Sequence, residues 1–152
     1  MKLKDILSQQ GVCGNLKASD KKGVLEELAQ VAAKVVPSLT VAEIMRILTE
    51  REKLGSTGVG NGVAIPHGKV AGLKSMVVIF GRSKKGIEFS SHDHKPANLF
   101  FVLLAPEDVV GNHLQALARL SRLLKGDVIR SRLMEEPDDQ LYDLLIKEDD
   151  QI

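Results

Sequence analysis

His67 is placed where an imidazole can be both rigidly held and open. It follows Pro66 and precedes Gly68 at the end of the segment NGVAIPHG. The apolar run Val63, Ala64, Ile65 reads as a buried strand. Pro66 has no N–H to give a ladder and Gly68 lets the backbone turn, so the strand is expected to stop at Pro66 and to present His67 at an exposed end. An ordinary imidazole, with a pKa of about 6.5, is mostly neutral at pH 7 and keeps one nitrogen lone pair free. That lone pair can attack phosphorus and form a phosphoramidate that passes its phosphoryl group on. Such transfer depends on in-line approach and on donors around the equatorial oxygens.

Two other residues could supply donors. His113 is expected at the first position of a helix capped by Asn112, where free backbone N–H groups and the helix dipole favour an anion. Its spacing fits equally a surface histidine at a helix start. Arg51 ends a helix just before the glycine-rich loop and could pair with phosphoryl oxygens or with an acidic side chain. Read alone, it is a solvated cation at the negative end of a helix. Glu52 reads as a surface residue or an intramolecular partner. His92 and His94, in SSHDHKP, are ligand types with metal-like spacing. They lie on a polar loop with no cysteine partner and no HExxH, so a solvated loop with Asp93 capping a turn is preferred to a metal site. A metal-dependent hydrolase built from His67, His92, His94 and His113 is the corresponding alternative. Gly55, Gly58, Gly60 and Gly62 follow a helix and precede a strand, the reverse of a dinucleotide-binding turn, and no Walker pattern occurs. No cofactor is expected.

The elements that must carry these residues follow from periodicity. Residues 20–36 form an amphipathic helix with Val24, Leu25, Leu28, Val31, Ala32, Val35 and Val36 on one face. Ser19 or Asp20 caps it and Pro37 ends it. A second helix runs from Val41 to Lys53, opened by a Thr40–Glu43 capping box, with Val41, Ile44, Met45 and Leu48 buried. Strands are expected at Val63–Ile65, Met76–Phe80 and Leu99–Leu104, the last two as central strands covered on both faces. Gly86–Phe89 adds a short strand after a Lys84–Lys85–Gly86 turn. Helices follow at His113 to Lys125, with Gly126 as C-cap, at Asp127 to Met134 and at Asp138 to about Lys147. The fold class is α/β, a mixed sheet flanked by helices on both faces. Residues 1–148 are expected to form one domain, with 149–152 as a frayed tail.

Composition narrows the function. The chain of 152 residues is 43% hydrophobic and 27% charged, with a formal net charge of +1. That is a globular composition without the basic excess of a nucleic-acid binder or a polybasic stripe for an anionic membrane. No stretch reaches the ~20 apolar residues of a membrane helix, and the N-terminal apolar run is too short for a signal peptide. With Cys13 as the one cysteine, no intramolecular disulfide can form, and a cytoplasmic location fits.

The segments NGVAIPHG and REKLGSTGVG, with the LTVAEIMRILTERE helix, the GIEF segment, the NLFFVLLAP strand and the HLQALARLSRLL helix, resemble enzyme IIA of the bacterial phosphoenolpyruvate-dependent sugar phosphotransferase system. The branch is the fructose–mannitol type that includes the nitrogen-regulatory proteins. The resemblance implies the mannitol-type IIA fold and a phosphocarrier activity. It assigns His67 as the phosphoacceptor through a tele-phosphohistidine, His113 as the stabiliser of the phosphoryl group and Arg51 as the arginine beside it. It implies HPr or its nitrogen-branch paralogue as donor, and a cysteine of a IIB domain or a regulatory partner as recipient. Without a IIB or membrane IIC portion in these residues, a nitrogen-regulatory role is preferred to a fructose-uptake role. A binding regulator read out by phosphorylation state, without onward transfer, is the alternative of another class. One departure stands out. Many members have a glycine after the loop aspartate, where this chain has His94 after Asp93, which bears on partner choice.

Overall fold

The computed structural model describes residues 1–107 and 110–152. A mixed sheet of six strands lies between two helical layers, as expected. The strands are β1 (Leu7–Cys13), β2 (Gly58–Gly60), β3 (Val63–Ala64), β4 (His67–Val70), β5 (Val77–Ile87) and β6 (Ala97–Pro106). The helices are α1 (Lys21–Val35), α2 (Val41–Lys53), α3 (Val110–Leu123), α4 (Asp127–Glu135) and α5 (Leu141–Asp149). The sheet order is β1-β5-β6-β3-β2, and β4 also pairs with β6.

Strand β6 is the spine. Its side chains alternate strictly, because a strand turns successive residues to opposite faces. Leu99, Phe101, Leu103 and Ala105 pack with Val78, Phe80 and the apolar faces of α3, α4 and α5. Phe100, Val102 and Leu104 pack with Ile79 and the apolar faces of α1 and α2. Both faces are thus buried, which is why this run is continuously apolar. The two N-terminal helices form as their caps dictate. Asp20 accepts from the Gly23 N–H at 2.8 Å, and Thr40 and Glu43 close the expected capping box.

Several local expectations need correction. The sheet has an N-terminal edge strand, β1, that the sequence does not announce. Its residues Ser8, Gln9 and Gln10 are exposed and its register with β5 shifts between Leu7 and Val12, so no period-two signal survives. Strand β5 runs through the expected Lys84–Lys85–Gly86 turn to Ile87. Gly86, with φ of 82°, marks only an irregularity in the pairing with β6. Helix α3 begins at Val110, so His113 is its fourth residue and Asn112 is not its cap. A first turn tolerates Gly111 and Asn112 because its N–H groups have no intrahelical partners to lose. Gly126 does not cap α3; it precedes α4 with φ of −80°. Arg130 caps α3 instead, donating to the carbonyls of Leu124 and Lys125 at 2.6 and 2.8 Å. Nor does the chain loosen at residue 149. Asp149 is buried, accepts from the Leu3 N–H at 2.7 Å and pairs with Arg119 of α3 at 2.7 Å.

Strands β3 and β4 lie in tandem along the same edge of β6. Val63 and Ala64 pair with Leu99 and Phe100, and His67 to Val70 pair with Leu103 to Pro106. The first strand thus ends before Pro66, as expected, but a second one, β4, starts at His67, so the imidazole opens a strand rather than standing past the end of one. Proline cannot donate, but its carbonyl accepts from the Leu103 N–H at 2.9 Å, which keeps the ladder in register across the gap.

Candidate functional site

The restart of the strand at His67 sets the site. Alternation along β4 turns Gly68 toward α2 and His67 toward α3. A Cβ on Gly68 would run into the Cγ2 of Ile47, so only glycine allows α2 this close to the strand. That approach brings the last turn of α2, with Arg51, to the edge of β4. The first turn of α3 brings His113 from the other layer. The rings of His67 and His113 stand edge to face with centroids 5.2 Å apart.

His67 is half-buried and held at both ring nitrogens. Nδ1 lies 2.8 Å from the Ile65 carbonyl oxygen, and Nε2 lies 3.2 Å from Nε of Arg51. A carbonyl only accepts and a guanidinium only donates, so in the neutral ring Nδ1 carries the proton and Nε2 carries the lone pair. Arg51 also donates from Nη1 to the Gly55 carbonyl at 2.9 Å. His113 is 8% exposed, and its Nδ1 is buried without a hydrogen-bond partner among the described residues. Such groups are rare because each costs free energy, and they concentrate where a ligand or a reaction needs them.

Both imidazoles are harder to protonate than usual. Burial lowers the His67 pKa most. The Arg51 charge adds to that effect, against the bond to Ile65 and the charge of Glu52, which both raise it. His113 is lowered by burial first, then by His67, Lys69 and Arg51. The result is two neutral rings among cations, an environment that favours an incoming anion. The site opens into a shallow depression of about 630 Å³ lined by, among others, Arg51, His67, His113, Lys69, Glu107 and Leu54. Leu54 is 85% exposed, and Leu114, next to His113, is 61% exposed.

The three residues singled out from sequence, His67, His113 and Arg51, thus converge, although His113 is more buried than a surface histidine at a helix start. His92, Asp93 and His94 are exposed. Asp93 accepts from the backbone N–H groups of Asn61 and Lys95 at 2.9 and 3.1 Å, which hold its carboxyl below the usual range, so it ties a turn as expected. Among the described residues no three His, Cys, Asp or Glu side chains gather as a metal site would require. No described helix is long and apolar enough to cross a membrane. Sequence reasoning missed the carbonyl of Ile65, which fixes the tautomer, and the rim residues Leu54, Lys69 and Glu107. Nothing in the spacing marks them, except that Leu54 is an apolar residue in an otherwise polar stretch.

Comparison with known proteins bears on the family and the fold. Residues 5–148 match the family described as phosphoenolpyruvate-dependent sugar phosphotransferase system, EIIA 2. The chain is 41% identical over 146 residues to a nitrogen regulatory protein of Bradyrhizobium diazoefficiens, covering 95% of both chains. It is 35% identical to the fructose-specific EIIABC component of Bacillus subtilis, covering 98% of this chain and 24% of that larger protein. Among solved structures it resembles nitrogen regulatory protein IIA-Ntr from Neisseria meningitidis, with a TM-score of 0.88 at 35% identity over 94% of this chain and 98% of that one. A mixed sheet clasped by helices, a paired histidine site at the strand restart and a match over nearly the whole length lead to one conclusion: the chain belongs to the EIIA type 2 family of the phosphoenolpyruvate-dependent sugar phosphotransferase system.

Proposed function

We propose that His67 is a phosphoacceptor and that its Nε2 is the nucleophile. The observation that carries this reading is the pairing of an Nδ1–H···O=C bond to Ile65 with an Nε2 lone pair turned to Arg51. The lone pair attacks the phosphorus of a phosphohistidine on a small carrier, HPr or its nitrogen-branch paralogue. The new N–P bond forms as the carrier's N–P bond breaks, and the carrier's imidazole leaves with that electron pair. The product is a tele-phosphohistidine on His67.

Arg51 swings from the lone pair to the phosphoryl oxygens, where a guanidinium offers a charged fork of donors. His113 donates to an oxygen from the opposite side, and its Nδ1, without a partner among the described residues, is consistent with a site waiting for a polar ligand. Neutral rings keep the nucleophile available, and the surrounding cations stabilise the charge that arrives. The exposed Leu54 on the rim supplies apolar contact for a protein donor.

Phospho-His67 then gives its phosphoryl group to a cysteine of a IIB domain or is read by a regulatory partner in the cytoplasm. The nitrogen-regulatory role is preferred because a relative of that name matches over 95% of its length. A fructose-uptake role is the second reading, supported by the match to the fructose-specific component. Incubation with phosphoenolpyruvate, enzyme I and each carrier paralogue should label one residue, His67, with acid-labile phosphate. His67→Ala should take up none. A His67→Ala protein that still accepts one equivalent refutes the assignment.

A further inference from the structure

The carboxylate of Glu52 is 7% exposed, although it neighbours Arg51 at the end of an otherwise solvated helix turn. One oxygen accepts from the Thr57 N–H at 3.1 Å and pairs with Nζ of Lys21 at 2.9 Å. The other accepts from the Thr57 hydroxyl. Lys21 is itself fixed, with Nζ 4.5 Å above the centre of the Phe89 ring and 3.4 Å from the Phe89 carbonyl. The carboxylate therefore has a full set of partners, and most of them belong to one residue, Thr57.

Two paths lead from Thr57 to the site. The loop that Glu52 and Thr57 close contains Gly55, whose carbonyl holds Nη1 of Arg51. The Thr57 carbonyl accepts from the Ile65 N–H at 3.0 Å, and the Ile65 carbonyl is the partner of His67 Nδ1. One latch thus sets the guanidinium from one side and the imidazole from the other.

Resting on the reading of His67 as phosphoacceptor, we infer that Glu52 is a positioning residue which, through Thr57, orients Arg51 and holds His67 in the tautomer that keeps Nε2 free. Glu52 does not touch the ring or the transferred group. Its contribution is geometric, and misplacing a reacting group by even ~1 Å can cost up to ~100-fold in rate.

Two nearly isosteric variants test this. Thr57→Val removes only the hydroxyl donor. Glu52→Gln replaces a carboxylate oxygen with an NH2 that cannot accept from Lys21 or from the Thr57 hydroxyl. In the unphosphorylated proteins, nitrogen-15 NMR of the histidine rings should show His67 wholly Nδ1-protonated in the wild type and a mixture of tautomers in both variants. Phosphoryl uptake from the phosphorylated carrier at saturating donor should fall about tenfold in both with an unchanged KM, because donor docking is untouched. Thr57→Ser, which keeps the hydroxyl, should restore both readouts. Variants that fold but keep the wild-type tautomer and rate overturn the proposal, as does a lowered Tm with both readouts unchanged. The tautomer measurement needs no phosphoryl donor. A wild type that takes up no phosphate would refute the reading of His67, and the tautomer result would still decide the latch.

Discussion

Arg51 and Arg82 are both guanidinium groups placed between sheet and helix, and the fold treats them in opposite ways. Arg82, in the middle of β5, is wholly buried. Its Nε donates to the Gly14 carbonyl at 3.0 Å, its Nη1 to the Leu133 carbonyl at 2.9 Å, and its Nη2 pairs with Asp138. The Leu133 and Glu136 carbonyls that it meets lie at the C-terminal end of α4, where the helix dipole is negative. Every face of that cation is answered by the protein. Arg51 is half-buried and spends one donor on Gly55 and another on the Nε2 lone pair of His67, which the proposed transfer must reclaim. Beside it His113 keeps a buried nitrogen without a partner among the described residues. A saturated buried cation locks elements together. An unsaturated one beside a buried imidazole is, under the proposed function, capacity held for the phosphoryl group, at some expense of stability.

The contrast is sharpest when each arginine is removed. Arg82→Met should destabilise the protein by at least ~1–3 kcal/mol, the cost of leaving a buried carbonyl without its donor, and should leave uptake at His67 intact in whatever protein remains folded at low temperature. Urea denaturation and phosphoryl uptake measured on one preparation check both halves. Arg51→Met should do the reverse. Uptake should slow by ~100-fold or more, on the scale of losing one preorganised donor, while stability moves by less than about 1 kcal/mol. If Arg51→Met unfolds the chain or Arg82→Met slows transfer without destabilising it, the division of labour is wrong.

His113→Leu probes the orphaned nitrogen. Replacing an unsatisfied buried polar atom by an apolar group of similar size should leave stability unchanged or raise it by up to ~1–2 kcal/mol, while transfer drops by ~100-fold. A variant both less stable and fully active would mean that His113 is a packing residue.

The pH dependence carries a definite sign. Both site histidines have pKa values below the ordinary 6.5, so uptake should persist as pH falls through that value and should decline only once His67 protonates at lower pH. Removing the Arg51 charge favours the protonated ring, so the acidic limb of the Arg51→Met profile should move up in pH. The same shift links to stability. The unfolded rings bind protons near pH 6.5 while the folded ones resist, so stability is full above that value and is lost as pH falls through the folded pKa values. Carriers stable under the assay pH range and a scan of rate against pH give the test. The smallest effect belongs to the loop. His94 adopts φ of 61°, the left-handed region that favours glycine. His94→Gly should be neutral or stabilising by up to ~1 kcal/mol, read by thermal melts, with no change in uptake rate.

Much of this was legible before any coordinates. The strict apolar run of β6, the Thr40–Glu43 box of α2 and the IPHG segment each state their structure locally, because periodicity, capping and proline chemistry act over a few residues. The buried Arg82 was not legible. In GRSKKG it looks like part of a polar turn, and the partners that make its burial tolerable come from Gly14, Leu133 and Asp138, far away in the chain. The edge strand β1 was missed for a related reason, since its pairing with β5 depends on a neighbour rather than on its own pattern.

By its own residue types the sequence determined the helices, the central strands and the histidine that could do chemistry, since local backbone preferences and burial periods are written in neighbouring side chains. Only the tertiary structure decided which nitrogen of that histidine is free, which cation faces it and which carboxylate steadies both. Those are hydrogen-bonding relations between α2, the 54–58 loop, β3, β4 and α3, and a hydrogen bond is fixed by distances within a few tenths of an ångström that sequence spacing does not encode.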